Sequence, residues 1–143
     1  MSTVLANTIT AVGGGGSTVK VNNDSTLISE GGAVTDQNLV QGVAKAWSNY
    51  SGSGTSLRDS LNHASATDNG SGDYTLTLTN NMGNVNYSYT SASTDGGGGR
   101  SATFSPKDFD NYTTSSMRGV NNDTGNATED SEAVSSTFNG DLA

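Results

Sequence analysis

The chain contains no cysteine, which removes disulfides, thiolate metal sites and cysteine nucleophiles together. Histidine occurs once, at His63, so neither a multi-histidine metal site nor a cysteine–histidine pair can be assembled. Only six basic residues stand against fourteen acidic ones, for a net charge of −8. They are scattered singly, without the clustered Lys/Arg that phosphate neutralisation needs, and nucleic acid is excluded as a partner. No apolar run approaches the length of a membrane span, and no charged-then-apolar leader opens the chain. The expectation is a soluble protein without membrane insertion. Apolar side chains are also scarce, at 31%; the roughly 45–50% of typical globular domains counts glycine, which here makes up much of the difference.

What is abundant is glycine, nineteen residues of it, with many Ser, Thr and Asn. Glycine is costly in helix interiors, and the short polar side chains compete for backbone hydrogen bonds, so turns and short strands are favoured over helices. Low hydrophobicity with a large net charge also fits disorder. Period-two apolar patterns argue against it, since a solvated linker has no physical reason to keep them. The chain reads as all-β.

Two regions differ in texture. Residues 1–40 carry Val4, Leu5, Ile9 and Val12, a glycine run from Gly13 to Gly16, then Val19, Val21, Leu27 and Ile28. These strand-like pieces are too sparse to enclose a core. They suit either a flexible leader or an arm that pairs with another chain or docks on a larger assembly. Residues 41–143 carry regular strand signals. Tyr74, Leu76 and Leu78 alternate with threonines, and Val85, Tyr87 and Tyr89 alternate with Asn86, Ser88 and Thr90. The intervening Asn80-Asn81-Met82-Gly83-Asn84 predicts a hairpin joining the two. Gly42 to Tyr50 and Leu57 to His63 predict two further strands; a helix could be drawn over Gln37 to Trp47, but Gly42 interrupts it. Weaker strand signals follow at Phe104, Phe109 to Tyr112, Met117 to Val120 and Val134 to Phe138. Strands at this spacing predict a small antiparallel β-sandwich or barrel. Trp47 is expected in the core, as are Tyr74, Tyr87 and Tyr89, each hydroxyl reaching a sheet edge or water.

Catalytic and ligand-binding chemistry is hard to assemble. No Gly-x-Ser-x-Gly elbow frames a serine, and His63 reads as the end of a strand. Asp68-Asn69-Gly70-Ser71-Gly72-Asp73 has the wrong ligand intervals for a calcium loop, and an Asx-stabilised turn explains it better. Asn121 to Asn126, with Glu129, Asp130 and Glu132 nearby, is the other place where a divalent ion could sit weakly. The glycine runs Gly13 to Ser17 and Gly96 to Arg100 lack the endings of phosphate loops. The expectation is a protein that is not an enzyme, with no cofactor, no metal and no catalytic residue.

The string Gly42-Val43-Ala44-Lys45-Ala46-Trp47, followed by Arg58-Asp59-Ser60 and Thr67-Asp68-Asn69-Gly70-Ser71-Gly72-Asp73-Tyr74-Thr75, resembles a module of structural and fibre-like virion proteins of marine tailed bacteriophages. Phe138-Asn139-Gly140-Asp141-Leu142-Ala143 is similar to that family's Phe-Gly-Asp-Leu ending, with Asn139 as an extra residue. The resemblance covers about 41–143 in outline. It implies a virion protein with a β-rich distal domain, commonly homotrimeric, in which the arm grips another virion protein and the sandwich meets a host-surface glycan or protein. A short tail fibre or spike for host attachment is the first expectation. A capsid-decorating head fibre that stabilises or ornaments the shell is the alternative. Between Thr94 and Glu132 the chain departs from the family, and receptor contacts are expected among those loops.

Overall fold

The computed structural model describes residues 27–28, 37–54, 56–94, 101–123 and 125–143. The chain divides into two units, Met1–Val40 and Gln41–Ala143. In the first, β1 (Leu27–Ile28) pairs antiparallel with β2 (Gln37–Asn38). The other strand-like pieces of 1–40, and the glycine run Gly96 to Gly99, lie outside the described residues. One helical turn, α1 (Leu39–Gly42), precedes the strands. It ends at Gly42, a residue that propagates helix poorly. The Gln37 to Trp47 window therefore holds the two residues of β2, a turn of helix and then the start of a further strand at Ala46.

The second unit contains β3 (Ala46–Tyr50), β4 (Leu57–Leu61), β5 (His63–Gly70), β6 (Asp73–Leu78), β7 (Ser88–Thr94), β8 (Ser101–Pro106), β9 (Ser116–Asn122) and β10 (Ala133–Asn139). Every neighbouring pair is antiparallel, in the hydrogen-bonded order β4-β3-β10-β7-β8-β9-β6-β5. This ribbon is creased along β8, where Ser101 and Ala102 pair with β7 while Thr103 to Pro106 pair with β9. The result is two four-stranded sheets facing one another, β4-β3-β10-β7 and β8-β9-β6-β5, a small sandwich as the strand spacing predicted.

At the opposite side a single residue, Asn62, separates β4 from β5. It sits at φ 59°, in the left-handed region that asparagine tolerates better than most residues. Its Nδ2 donates to Lys45 O and Asn80 O, both at 3.1 Å, and its Oδ1 accepts from Asn80 N at 2.7 Å. One side chain thus ties the entry of β3 in one sheet to the exit of β6 in the other. The segment Leu57 to His63, expected as one strand, is consequently two.

The core is a stack of rings between the sheets. Tyr50 meets Tyr74 edge-on at 5.4 Å and Phe104 at 6.1 Å, and Phe138 meets Tyr87, Tyr89 and His63 at 5.6, 5.3 and 5.2 Å. Such pairs add about 0.5–1.5 kcal/mol each beyond the area they bury. Leu76, Leu78, Met82, Met117 and Val134 fill the space between them. Tyr74 and Tyr87 are buried as expected, and Tyr89 is packed against the cluster.

Two expectations are corrected. The hairpin across Asn80 to Asn84 does not form, because β6 is flanked by β5 and β9, leaving no free edge for β7. The connection instead crosses between sheets. Met82 is buried beneath it, Met82 N donates to Thr114 O at 2.8 Å, and Gly83 N donates to Asp141 O at 2.7 Å. Phe109 to Tyr112 is likewise no strand but a 3-10 turn, Phe109–Asn111, capped by Asp108 through Asn111 N at 3.1 Å.

Candidate binding face

Alternation along β3 decides where its two aromatic residues go. Ala46, Ser48 and Tyr50 face the core, while Trp47 and Asn49 face outward, half-buried. Trp47 is therefore not the core anchor that its size suggested. Tyr50 takes that place, and Ser48, pointing inward beside it, is satisfied by Ser136 Oγ at 2.8 Å.

The outward residues align in rows across the sheet. Leu61, Trp47, Thr137 and Thr90 occupy successive strands in register, and so do Asp59, Asn49, Ser135 and Ala92. Asn49 Nδ2 donates to Ser135 Oγ at 2.9 Å, which pins the second row. Between the rows lies a shallow groove of about 280 Å³, walled by Thr90, Ala92, Ser135 and Thr137 and floored by Ser91 and Ser136, whose hydroxyls are spent inward. Small side chains leave the groove open, and the indole stands beside it. Leu61, at 48% exposed, continues the apolar edge beyond Trp47. None of the outward residues on β3, β10 and β7 carries a charge. Such a surface offers stacking and hydrogen bonding rather than ion pairing.

The chain matches no protein-family model, no curated protein and no solved structure. The chemistry of its surfaces must be read directly.

The opposite outer face is committed to internal contacts. Asp73 accepts a fork from Arg118 (Nε at 2.7 Å, Nη2 at 2.9 Å) and a third bond from Lys107 Nζ at 2.8 Å. Hydrogen bonding to Arg118 is the main reason the Asp73 carboxyl is held down at about 2. Its neighbour Asn69 donates to Thr75 Oγ1 at 2.9 Å.

His63 opens β5, with its ring buried against Phe138. Burial lowers its pKa to about 4, with an opposing contribution from the Thr77 backbone. Among the described residues no carboxylate bonds either ring nitrogen, and the imidazole is a neutral core group. The Asp68 to Asp73 segment is the Asx turn expected, with Gly70 N donating to Asp68 Oδ1 at 2.8 Å. Asp123 makes a second, accepting from Gly125 N and Ala127 N, both at 2.8 Å. Asp130 accepts from Gly72 N at 2.7 Å and Tyr74 Oη at 2.6 Å, fastening the loop before β10 to the β5–β6 turn. Asn121, buried, donates to Glu129 O at 2.8 Å and Ser131 Oγ at 2.7 Å. Among the described residues no three His, Asp or Glu side chains converge as a metal site would require. No helix among them is long and apolar enough to cross a membrane.

The loops after Thr94 are thus partly consumed by structure. Tyr112 leans on Tyr87 with ring centres 5.1 Å apart, and Thr113 closes its own turn through Ser116 N at 2.9 Å. Sequence reasoning missed the outward face. Its signal was the parity of β3: Trp47 and Tyr50 are three apart and cannot share a side of one strand.

Proposed function

We propose that this chain is a structural protein of a tailed-bacteriophage virion, a short fibre or spike whose residues 41–143 form a distal β-sandwich for host-surface adhesion. Residues 1–40 attach it to another virion protein, and three copies assemble. It works by binding, not by catalysis.

The observation that carries this reading is where the resembling motifs fall. Thr67 to Thr75 is the β5–β6 hairpin, and at its Gly72 a Cβ would lie 2.7 Å from both Asn121 O and Glu129 N. At Gly140, in the Phe138 to Ala143 ending, a Cβ would lie 2.9 Å from Tyr87 Cβ. The leading Gly42 to Trp47 string delivers the chain into β3 and supplies the Lys45 carbonyl that Asn62 grips. The motifs are joints of a scaffold. A scaffold that is kept while surfaces vary is what an adhesion module needs, and the sandwich is self-contained enough to sit at the end of an attachment segment.

The reconstruction of an intact particle tests this. Three copies per site at the tail are expected, and light scattering on the isolated chain should return a trimer. A stable folded monomer counts against the assembly. A compact unit of residues 41–143 also suits capsid decoration, the second reading, and a shell position in the same reconstruction would establish it in place of the first.

A further inference from the structure

We propose that the groove beside Trp47 is a saccharide site, taking one uncharged pyranose ring stacked on the indole and hydrogen-bonded by the hydroxyls of Thr90 and Thr137. The inference rests on the adhesion reading and gives its surface and ligand class.

Three observations converge on it. Trp47 lies outward in register with Thr137, which is in register with Thr90, so a flat apolar ring and two hydroxyls share one row. Among the described residues the indole Nε1 and the hydroxyls of Thr90 and Thr137 have no side-chain hydrogen-bond partner, while Asn49 keeps its Oδ1 after giving Nδ2 to Ser135. Donors and acceptors thus surround an apolar surface without being spent on one another.

The second observation is charge. In a chain of net charge −8, the outward positions of three adjacent strands are uncharged, and Asp59 stands at the margin of the sheet on β4. An anionic ligand would find no cation on these three strands, and at the β4 margin the acid Asp59 is balanced by its neighbour Arg58. The third is size: about 280 Å³ falls at the small end of ligand sites, room for one ring and not for a chain segment with side chains. A dry protein partner would leave the threonine hydroxyls buried and unpaired, at a cost that hydroxyl-rich ligands avoid. A pyranose presents C–H groups on its face and hydroxyls round its rim, matching ring and row together.

The test uses the full chain and four probes: the methyl glycosides of glucose, galactose, mannose and N-acetylglucosamine. Trp47 is the only tryptophan, so its emission reports on this face alone. At least one probe should give a saturable change with a Kd on the order of 1–10 mM, as a single ring in an open site allows. Thr90→Val together with Thr137→Val keeps β-favouring side chains and should weaken binding by about tenfold. Trp47→Ala, followed by calorimetry, should abolish it; Thr67→Val, on the other sheet, should leave it unchanged.

No saturable response to any probe overturns the proposal, as does a response indifferent to the double valine variant. An assembly that dissociates in Trp47→Ala while no glycoside binds assigns the face to copies of this chain and also overturns it. Particle reconstruction reads the parent proposal separately. A shell-located chain that binds a glycoside keeps the groove and removes the tail adhesin, and a tail-located chain that binds none does the reverse.

Discussion

Replacing Asn62 should separate the two costs of turning a sandwich corner in one residue. The side chain makes four hydrogen bonds: two from Nδ2, to Lys45 O and Asn80 O, and two into Oδ1, from Asn80 N and Asn80 Nδ2. Three of them are exposed and one part-buried, so each is worth the lower part of the usual range, and their joint loss costs about 1–3 kcal/mol. The backbone at φ 59° adds a second term. Alanine there pays about 1 kcal/mol that glycine does not. Asn62→Ala is therefore expected to lose about 2–4 kcal/mol and Asn62→Gly about 1 kcal/mol less.

Urea titration followed by Trp47 emission measures both, because Trp47 is in register with Leu61, the residue before the corner. In a unit of this size each kcal/mol moves Tm by about 4–8 °C, so a parallel thermal scan should show Asn62→Ala lower by about 8–32 °C. If Asn62→Ala lies within about 0.5 kcal/mol of the parent, the error of such titrations, the corner is not held by this side chain. If alanine and glycine are equally destabilising, the positive φ carries no cost and the second half of the reasoning fails.

Burial lowers the His63 pKa from 6.5 to about 4, so the unfolded chain takes up its proton first. Its contribution is fully present above pH 6.5 and is lost as pH falls toward 4, by at most about 3 kcal/mol; His63→Leu should flatten that window in pH-dependent urea titrations, and an unchanged slope would sink the assignment. Tyr74→Phe should cost about 1.5–3 kcal/mol by stripping Asp130 of its shortest partner. Tyr50→Phe should be neutral or stabilising, because the Tyr50 hydroxyl is buried without a hydrogen-bond partner among the described residues; thermal scans of the pair must come out in that order. Gly72→Ala meets backbone at 2.7 Å as well as a φ of +68°, whereas Gly70→Ala meets only its φ of +137° in open space, so the first should cost about 1–3 kcal/mol more in denaturant.

Much of the fold was legible where one strand face alone carried the large apolar residues. Tyr74, Leu76 and Leu78 alternate with threonines, and β6 follows them with the predicted side inward. The Asx turn at Asp68 was legible because its chemistry is local. Pairing was not, because strand partners depend on which edges remain free. Asn80 to Asn84 has hairpin composition, yet β9 had already taken the edge of β6. In β3 the pattern itself is ambiguous, with an aromatic residue on each parity. Size favoured Trp47 for the core, but Ala46, Ser48 and Tyr50 take the inward parity, and Tyr50 supplies the large ring there, against Tyr74 and Phe104.

This division explains why most of the motif residues lie off the candidate face, Trp47 being the one they share. Gly72 and Gly140 are constrained by backbone or core atoms under 3 Å away, and any Cβ there would move a neighbouring strand. Such positions give a chain its resemblances, since few residues satisfy them. Thr90, Ala92, Ser135 and Thr137 face outward and bind nothing in the core, so the sandwich tolerates many side chains in their places. A binding face built on such positions leaves no spacing signature in the sequence, and becomes visible only when the register of β3, β10 and β7 lays the rows side by side.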